Sequence, residues 1–378
     1  MEHSSLDTFF QGQSSFFLSL EIIGILALLA KGADWLVGEA VVLSERSGLP
    51  KVIIGATIVS LGTTAPEAAV SVLAALQGKY EMALGNAVGS IICDTGLILG
   101  IACLIAPLKL PRAIVNRQGW LQLGAGILLV TICWPWGREG TPWQLQPDAD
   151  WGNLPQWGGG LFVTLLIGYL WLSVRWARSS STGSGKDNGE ISLEEWEHDA
   201  AAPMGQVVGK LLLAIVLVVG ASHVLIPAIQ VAAERLHVPS SIVAATLVAF
   251  GTSLPELVTA VSATLKGHGD LAVGNIIGAD ILNVLFVAGV SAAVTTGGLP
   301  APASFYQVLF PAMLAILIAF RVMVIFSKDH MKRAHGIVLL VVYCLTMVLS
   351  YTSLRGEPVV AGDQDTGAST ESEVFSEK

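Results

Sequence analysis

Charge is scarce in this chain. Of its 378 residues only 13% are Asp, Glu, Lys or Arg, while 53% are hydrophobic. Soluble domains carry about a quarter charged residues, so an ordinary water-soluble fold is excluded. No basic patch is present, which argues against nucleic acid as a partner. The net charge of −9 gathers in the tails and one loop. The four cysteines (Cys93, Cys103, Cys133, Cys344) lie in apolar segments and form no CxxC pair. They read as small buried hydrophobes and not as metal ligands. The opening stretch MEHSSLDTFFQGQSS has no basic n-region, so the first apolar segment is expected to remain in the protein. DADWGN, from Asp148, lacks the spacing and distal glutamate of a calcium-binding EF-hand and reads as an interfacial loop. Neither Asp94 nor Asp280 ends a Gly-x-Gly-Asp stretch, which argues against an intramembrane aspartyl protease. The protein is not expected to be an enzyme.

What is abundant is apolar length, with a mean hydropathy of +0.67. Several runs reach the roughly 20 residues that cross a bilayer. Ten spans are predicted: 16–44, 50–76, 81–105, 118–137, 157–177, 206–234, 239–265, 270–296, 303–326 and 335–353. The expected fold is therefore an all-α, ten-helix membrane protein. Its segments are an outer tail 1–15, a five-helix unit 16–177, an acidic linker 178–204, a second unit 205–353 and a polar tail 354–378. Lys and Arg crowd one set of loops (Arg46, Lys51, Lys109, Arg112, Arg117, Arg175, Arg178, Lys186, Lys266, Lys328, Lys332, Arg333) and leave the other with Lys79, Arg138 and Arg235, plus Arg355 and Lys378 on the tail. The positive-inside rule then places both termini outside and the linker in the cytoplasm. Tryptophans near helix ends read as an interfacial belt.

The chain also repeats itself. A shift of 189 residues, without gaps, lays Glu45-Arg46 on Glu234-Arg235 and Pro50 on Pro239. It lays Gly62-Thr63 on Gly251-Thr252, Pro66-Glu67 on Pro255-Glu256, and Gly85-Asn86 on Gly274-Asn275. Five spans separate each element from its copy, and an odd number inverts the second copy across the membrane. Inverted repeats are a transporter architecture, with the site at mid-membrane where the repeats meet.

Each copy breaks an apolar helix with proline and follows it with glutamate. Pro66 and Pro255 carry no N–H and crowd the carbonyls of Gly62 and Gly251. Helical spacing places Ser60, Thr63 and Glu67 on one stripe, with Ala249, Thr252 and Glu256 on its mirror. Ser90 and Asp94 share a face of the next helix, mirrored by Ala279 and Asn283. Oxygen donors of this kind suit hard cations such as Ca²⁺ and Na⁺. Glu67, Asp94 and Glu256 are expected to converge near the midplane, where buried acids mark function. Asp280 lines the cavity or caps a break. Asn86 and Asn275 bridge backbone, and Lys31 pairs with Asp34.

At these residues the chain resembles the sodium/calcium exchangers of the calcium/cation antiporter superfamily, prokaryotic type. GTTAPE/GTSLPE paired with GNAVGS/GNIIGA carries the likeness. The resemblance implies ten helices as two inverted five-helix repeats, with broken helices 2, 3, 7 and 8 around a midplane cation site. It implies Na⁺/Ca²⁺ antiport by alternating access in a multi-pass protein of the bacterial inner membrane. Carried over by position, it adds Thr64 and Ser253 to Thr63, Glu67, Ser90, Asp94, Thr252, Glu256 and Asn283, with backbone carbonyls at Ser60 and Ala249. Ala279 departs from the serine of many relatives, which puts one Na⁺ position in doubt. Ca²⁺ and Na⁺ are transported ions, with no prosthetic group. The partners are these cations and the bilayer, and a monomer accommodates the reading. H⁺- or K⁺-coupled exchange, another divalent cation, or a passive cation channel are the alternatives. Against the proton-coupled branch, Gly85-Asn86 is followed by Ala87, Val88 and Gly89, not by a further acid.

Overall fold

The computed structural model describes residues 5–146, 149–181, 203–235, 251–327 and 329–354. Asp148, most of the 178–204 linker, Ala249 and the tail beyond 354 lie outside the described residues. A short helix, α1 (Ser5–Gln11), precedes α2 (Ser15–Ser47). Then come α3 (Lys51–Thr63), α4 (Ala65–Leu76), α5 (Tyr80–Ile105), α6 (Arg112–Cys133) and α7 (Gln156–Ser181). The second half holds α8 (Met204–Arg235), α9 (Leu254–Leu265), α10 (Gly269–Val294), α11 (Phe305–Phe326) and α12 (Arg333–Leu354). Among the described residues, six of these helices are long and apolar enough to cross a membrane, or seven if α3 and α4 form one span bent by 43°. The protein is a multi-pass integral membrane protein.

Local chemistry sets the boundaries. Ser14 caps α2 by accepting the Phe17 N–H at 3.4 Å. Gly48, at φ 67, ends that helix in the left-handed region that glycine tolerates. The span predicted at 118–137 forms instead over Arg112–Cys133. Trp134 precedes Pro135 and is held extended, with ψ 130, because proline disfavours helix in the residue before it.

Three expectations are corrected. The predicted breaks in helices 3 and 8 do not occur: neither α5 nor α10 contains a proline, and each runs on through a π-helical turn, Cys93–Ile98 and Asn283–Ala288. The fold is not purely helical either. Two short antiparallel ribbons tie loops together, β1 (Leu108–Lys109) with β4 (His330–Met331), and β2 (Asp150–Leu154) with β3 (Leu299–Pro302). Finally, Cys93, Cys103 and Cys133 are buried as expected, but Cys344 is exposed on the outer face of α12.

The helices of the two halves fall in the same places. α4 spans 65–76 and α9 spans 254–265, which is the 189-residue offset at both ends. The break residues match as well: Thr64 has φ −83, ψ −5 and Ser253 has φ −86, ψ 9.

α5 and α10 form the centre. Of the apolar window of α10, 83% is buried, against 22% for α2. α2 and α8 pack along each other at the periphery. The tightest crossing joins α3 to α10. A Cβ on Gly274 would lie 2.2 Å from the Val52 carbonyl oxygen, and one on Gly278 would lie 2.5 Å from Ala56 Cα. Small residues let backbones meet where lipid offers no hydrophobic drive. The π-helical segment Gly55–Val59 of α3 runs through this crossing. The Tyr169 hydroxyl donates to its Ala56 carbonyl at 2.9 Å, so protein satisfies the irregular backbone.

Candidate cation site

The proline breaks bring the acids of the two halves together. Pro66 and Pro255 stand in the first turn of α4 and α9, where a missing N–H costs nothing, and the acids follow at once. Glu67 and Glu256 are 1% and 0% exposed. The Thr64 hydroxyl, at the break before α4, donates to Glu256 Oε1 of α9 at 3.1 Å. Thr63 also approaches Glu256. Glu67 lies within electrostatic reach of both Glu256 and Asp94.

The second acidic contribution comes from the π-turns. Asp94 and Asn283 lie in the π-helical segments of α5 and α10, at positions 189 residues apart. π-bulges re-aim side chains and recur at functional sites. Asn283 Nδ2 donates to Asp94 Oδ2 at 3.4 Å, joining the halves a second time. Ser253 stands beside Asp94, its hydroxyl short of hydrogen-bonding geometry.

These residues leave a specific set of buried atoms without partners: both oxygens of Glu67, Asp94 Oδ1, Glu256 Oε2, Asn283 Oδ1, and the hydroxyls of Ser90 and Ser253. All are oxygens, and all belong to residues predicted as ligands. Buried polar groups are in general nearly always hydrogen-bonded. Other buried atoms of this fold also lack partners, both polar side-chain atoms of Asn275 among them. What marks this site is that its orphaned oxygens come together from both halves. Among the described residues, no three carboxylates, imidazoles or thiols gather closely enough to hold a metal by themselves. The donor set is therefore mixed, with hydroxyls and a carboxamide beside the acids, as hard cations accept.

Other predicted ligands have hydrogen-bond partners within the protein. The Thr252 hydroxyl donates to Asn86 Oδ1 at 3.2 Å. Asn86 in turn donates to Ser71 Oγ at 3.0 Å and the Glu67 carbonyl at 3.4 Å, bridging backbone at the break as expected, whereas the Asn275 side chain has no hydrogen-bond partner among the described residues. The Ser60 carbonyl accepts the Thr64 N–H at 2.8 Å and the Thr63 hydroxyl at 3.4 Å. Asp34 lies 3.9 Å from Lys31 but only 2.6 Å from Lys266, so its closer partner is across the fold.

One polar cluster was not foreseen. Asp280 Oδ2 accepts from the Thr95 hydroxyl of α5 and from Gln122 Nε2 of α6, both buried. Its positional mirrors are apolar: Ile91 stands opposite Asp280, and Val284 opposite Thr95. Asp280 thus breaks the symmetry of the two halves. Thr95 had a faint signal, since it follows Asp94 directly. Gln122 had none, because one glutamine on an apolar helix reads as neutral.

Comparison with known proteins follows the same residues. Residues 18–175 and 207–352 match the family described as sodium/calcium exchanger protein. The chain is 30% identical over 321 residues to the inner membrane protein YrbG of Escherichia coli, covering 85% of this chain and 92% of that one. It is 29% identical over 346 residues to the sodium/calcium exchanger MaX1 of Methanosarcina acetivorans, covering 86% and 96%. Its fold matches that of the sodium-calcium exchanger NCX_Mj with TM-score 0.68 and 23% identity, over 88% of this chain and 98% of that one.

Proposed function

The chain belongs to the sodium/calcium exchanger family, and we propose that it exchanges Na⁺ for Ca²⁺ by alternating access. In this reading two inverted five-helix repeats, ten spans in all, hold the ions at Thr63, Thr64, Glu67, Ser90, Asp94, Thr252, Ser253, Glu256 and Asn283, with carbonyls at Ser60 and Ala249. One observation carries it: Glu67 and Glu256, one from each half, are fully buried in electrostatic contact and keep unpartnered oxygens.

Coupling follows from the cost of burying charge. An ionised carboxylate occluded without a counter-charge costs several kcal/mol. The empty pocket therefore does not switch sides, while a pocket neutralised by Ca²⁺ or by several Na⁺ does. Leak is suppressed and exchange is enforced. The peripheral pair α2 and α8 is suited to move against the buried core, because little of either is locked inside it. If three Na⁺ oppose one Ca²⁺, one charge crosses per cycle. A potential of 100 mV then biases the direction by about 2.3 kcal/mol.

Calcium flux in proteoliposomes, with Na⁺, K⁺ and pH gradients imposed one at a time, tests the reading. Uptake driven by the Na⁺ gradient alone is expected. Uptake driven by a pH gradient without Na⁺, or Ca²⁺ conduction without a counter-ion, overturns it.

A further inference from the structure

Arg321 is buried in α11, only 3% exposed, and among the described residues no carboxylate pairs with it. Its Nη2 donates to Asn116 Oδ1 of α6, and its guanidinium lies 4.5 Å from the centre of the Trp120 ring. Nε and Nη1 have no hydrogen-bond partner among the described residues. Gly119 makes room for the group, since a Cβ there would stand 3.1 Å from Nη1. Neither α6 nor α11 contains a single Asp or Glu, while α6 adds Arg112 and Arg117.

A buried guanidinium without an anion is costly, so the missing negative charge is to be sought next to it. A cavity of about 300 Å³ opens there, lined by Arg112, Ala113, Asn116, Val324 and Ile325. Arg112 also donates to the Ser327 carbonyl at 2.6 Å, which holds its guanidinium at the cavity. Asn116 gives its oxygen to Arg321 and so keeps its amide N–H groups for an anion. Arg321 sits five residues before the end of α11, about 7.5 Å along the axis, and Arg112 and the Ser327 carbonyl mark that end of the helix. The β1–β4 ribbon brings Lys109 and His330 to the same face, close to Lys332 and Arg333. Positive-inside reasoning assigns this face to the cytoplasm.

We propose that the α6–α11 cavity binds the phosphodiester of an anionic phospholipid, with Arg112 and Asn116 in contact, Arg321 as the buried counter-charge, and one acyl chain along Val324 and Ile325. Basic pockets between transmembrane helices suit this chemistry, and guanidinium suits phosphate.

Native mass spectrometry of the purified protein in neutral detergent tests it, with phosphatidylglycerol and phosphatidylcholine titrated separately. The protein is expected to hold one phosphatidylglycerol about tenfold or more tighter than phosphatidylcholine, as a charge-assisted hydrogen bond allows. Arg112→Gln should remove most of that preference, and in lipid-free detergent its melting temperature should fall only by what the lost Ser327 hydrogen bond accounts for. Arg321→Lys should keep part of it and Arg321→Gln almost none; Arg112→Gln decides alone if the Arg321 variants do not fold. Equal retention of the two lipids, or an unchanged preference in Arg112→Gln, overturns the proposal. Displacement of the lipid by millimolar inorganic phosphate overturns it too, because the site would then serve a free anion.

Discussion

Replacing Glu256 with glutamine separates a cation ligand from a packing group. The side chain keeps its volume, and its remaining oxygen still accepts from the Thr64 hydroxyl, 3.1 Å away. What disappears is one buried negative charge whose Oε2 has no protein partner. Removing one member of a buried charge pair costs about 3–5 kcal/mol, which is about 150- to 5,000-fold in the dissociation constant for Ca²⁺. Stability reads this directly. With Ca²⁺ at a hundred times its wild-type dissociation constant, binding stabilises the fold by about 2.7 kcal/mol. The same concentration stabilises Glu256→Gln by about 0.3 kcal/mol or less. Without cations the sign reverses: the variant no longer buries an unanswered carboxylate and should melt no lower than wild type. Thermal melts with and without Ca²⁺, paired with Na⁺-driven ⁴⁵Ca²⁺ uptake, measure both effects. Wild-type stabilisation by Ca²⁺ together with near-normal uptake would refute the reasoning. A variant that melts far lower without Ca²⁺ would show instead that Glu256 is structural.

Other outcomes follow from the same geometry. Gly278→Ala pushes a methyl to 2.5 Å from Ala56 Cα and 2.6 Å from Ser60 Oγ. It should destabilise by about 1–3 kcal/mol, while Gly160→Ala, with nothing within 4 Å, should be neutral or slightly stabilising. Melting temperatures compare the two. Asp280→Ala strands the Thr95 and Gln122 donors and should cost about 1–3 kcal/mol, again read by melting. Burial, Lys51 and Lys266 lower the pKa of His268 to about 4, so the fold resists its protonation. Stability is then full above the unfolded value near 6.5 and declines as pH falls from there toward 4. His268→Gln should flatten that acid-side slope in melts taken from pH 7.5 to 4.5.

Much of this was legible in the sequence because duplication prints its own evidence. Pro66-Glu67 and Pro255-Glu256 locate two breaks, and no competing signal obscures them. Proline forces its local consequence, so Thr64 and Ser253 adopt nearly the same bent backbone. The π-turns at Asp94 and Asn283 were not legible. One extra residue in a turn leaves so uniformly apolar a pattern almost unchanged, and the family resemblance suggested breaks where the helices only widen. Long-range pairings were equally hidden: Thr252 with Asn86, Asp34 with Lys266, and Asp280 with Gln122 join residues 166, 232 and 158 positions apart. Periodicity reports which face of a helix is buried, not which neighbour it meets. The ribbon strands β1 and β4, two residues each, are too short to print a period of two.

The central claim is that Glu67 and Glu256, one from each half, grip the transported cation between them. Anomalous diffraction from crystals grown with Sr²⁺ as a calcium substitute tests this most directly. The expected result is a peak within bonding distance of carboxylate oxygens of both Glu67 and Glu256, lost when Na⁺ replaces Sr²⁺. Strontium bound elsewhere, with these two carboxylates facing each other unliganded, would contradict it.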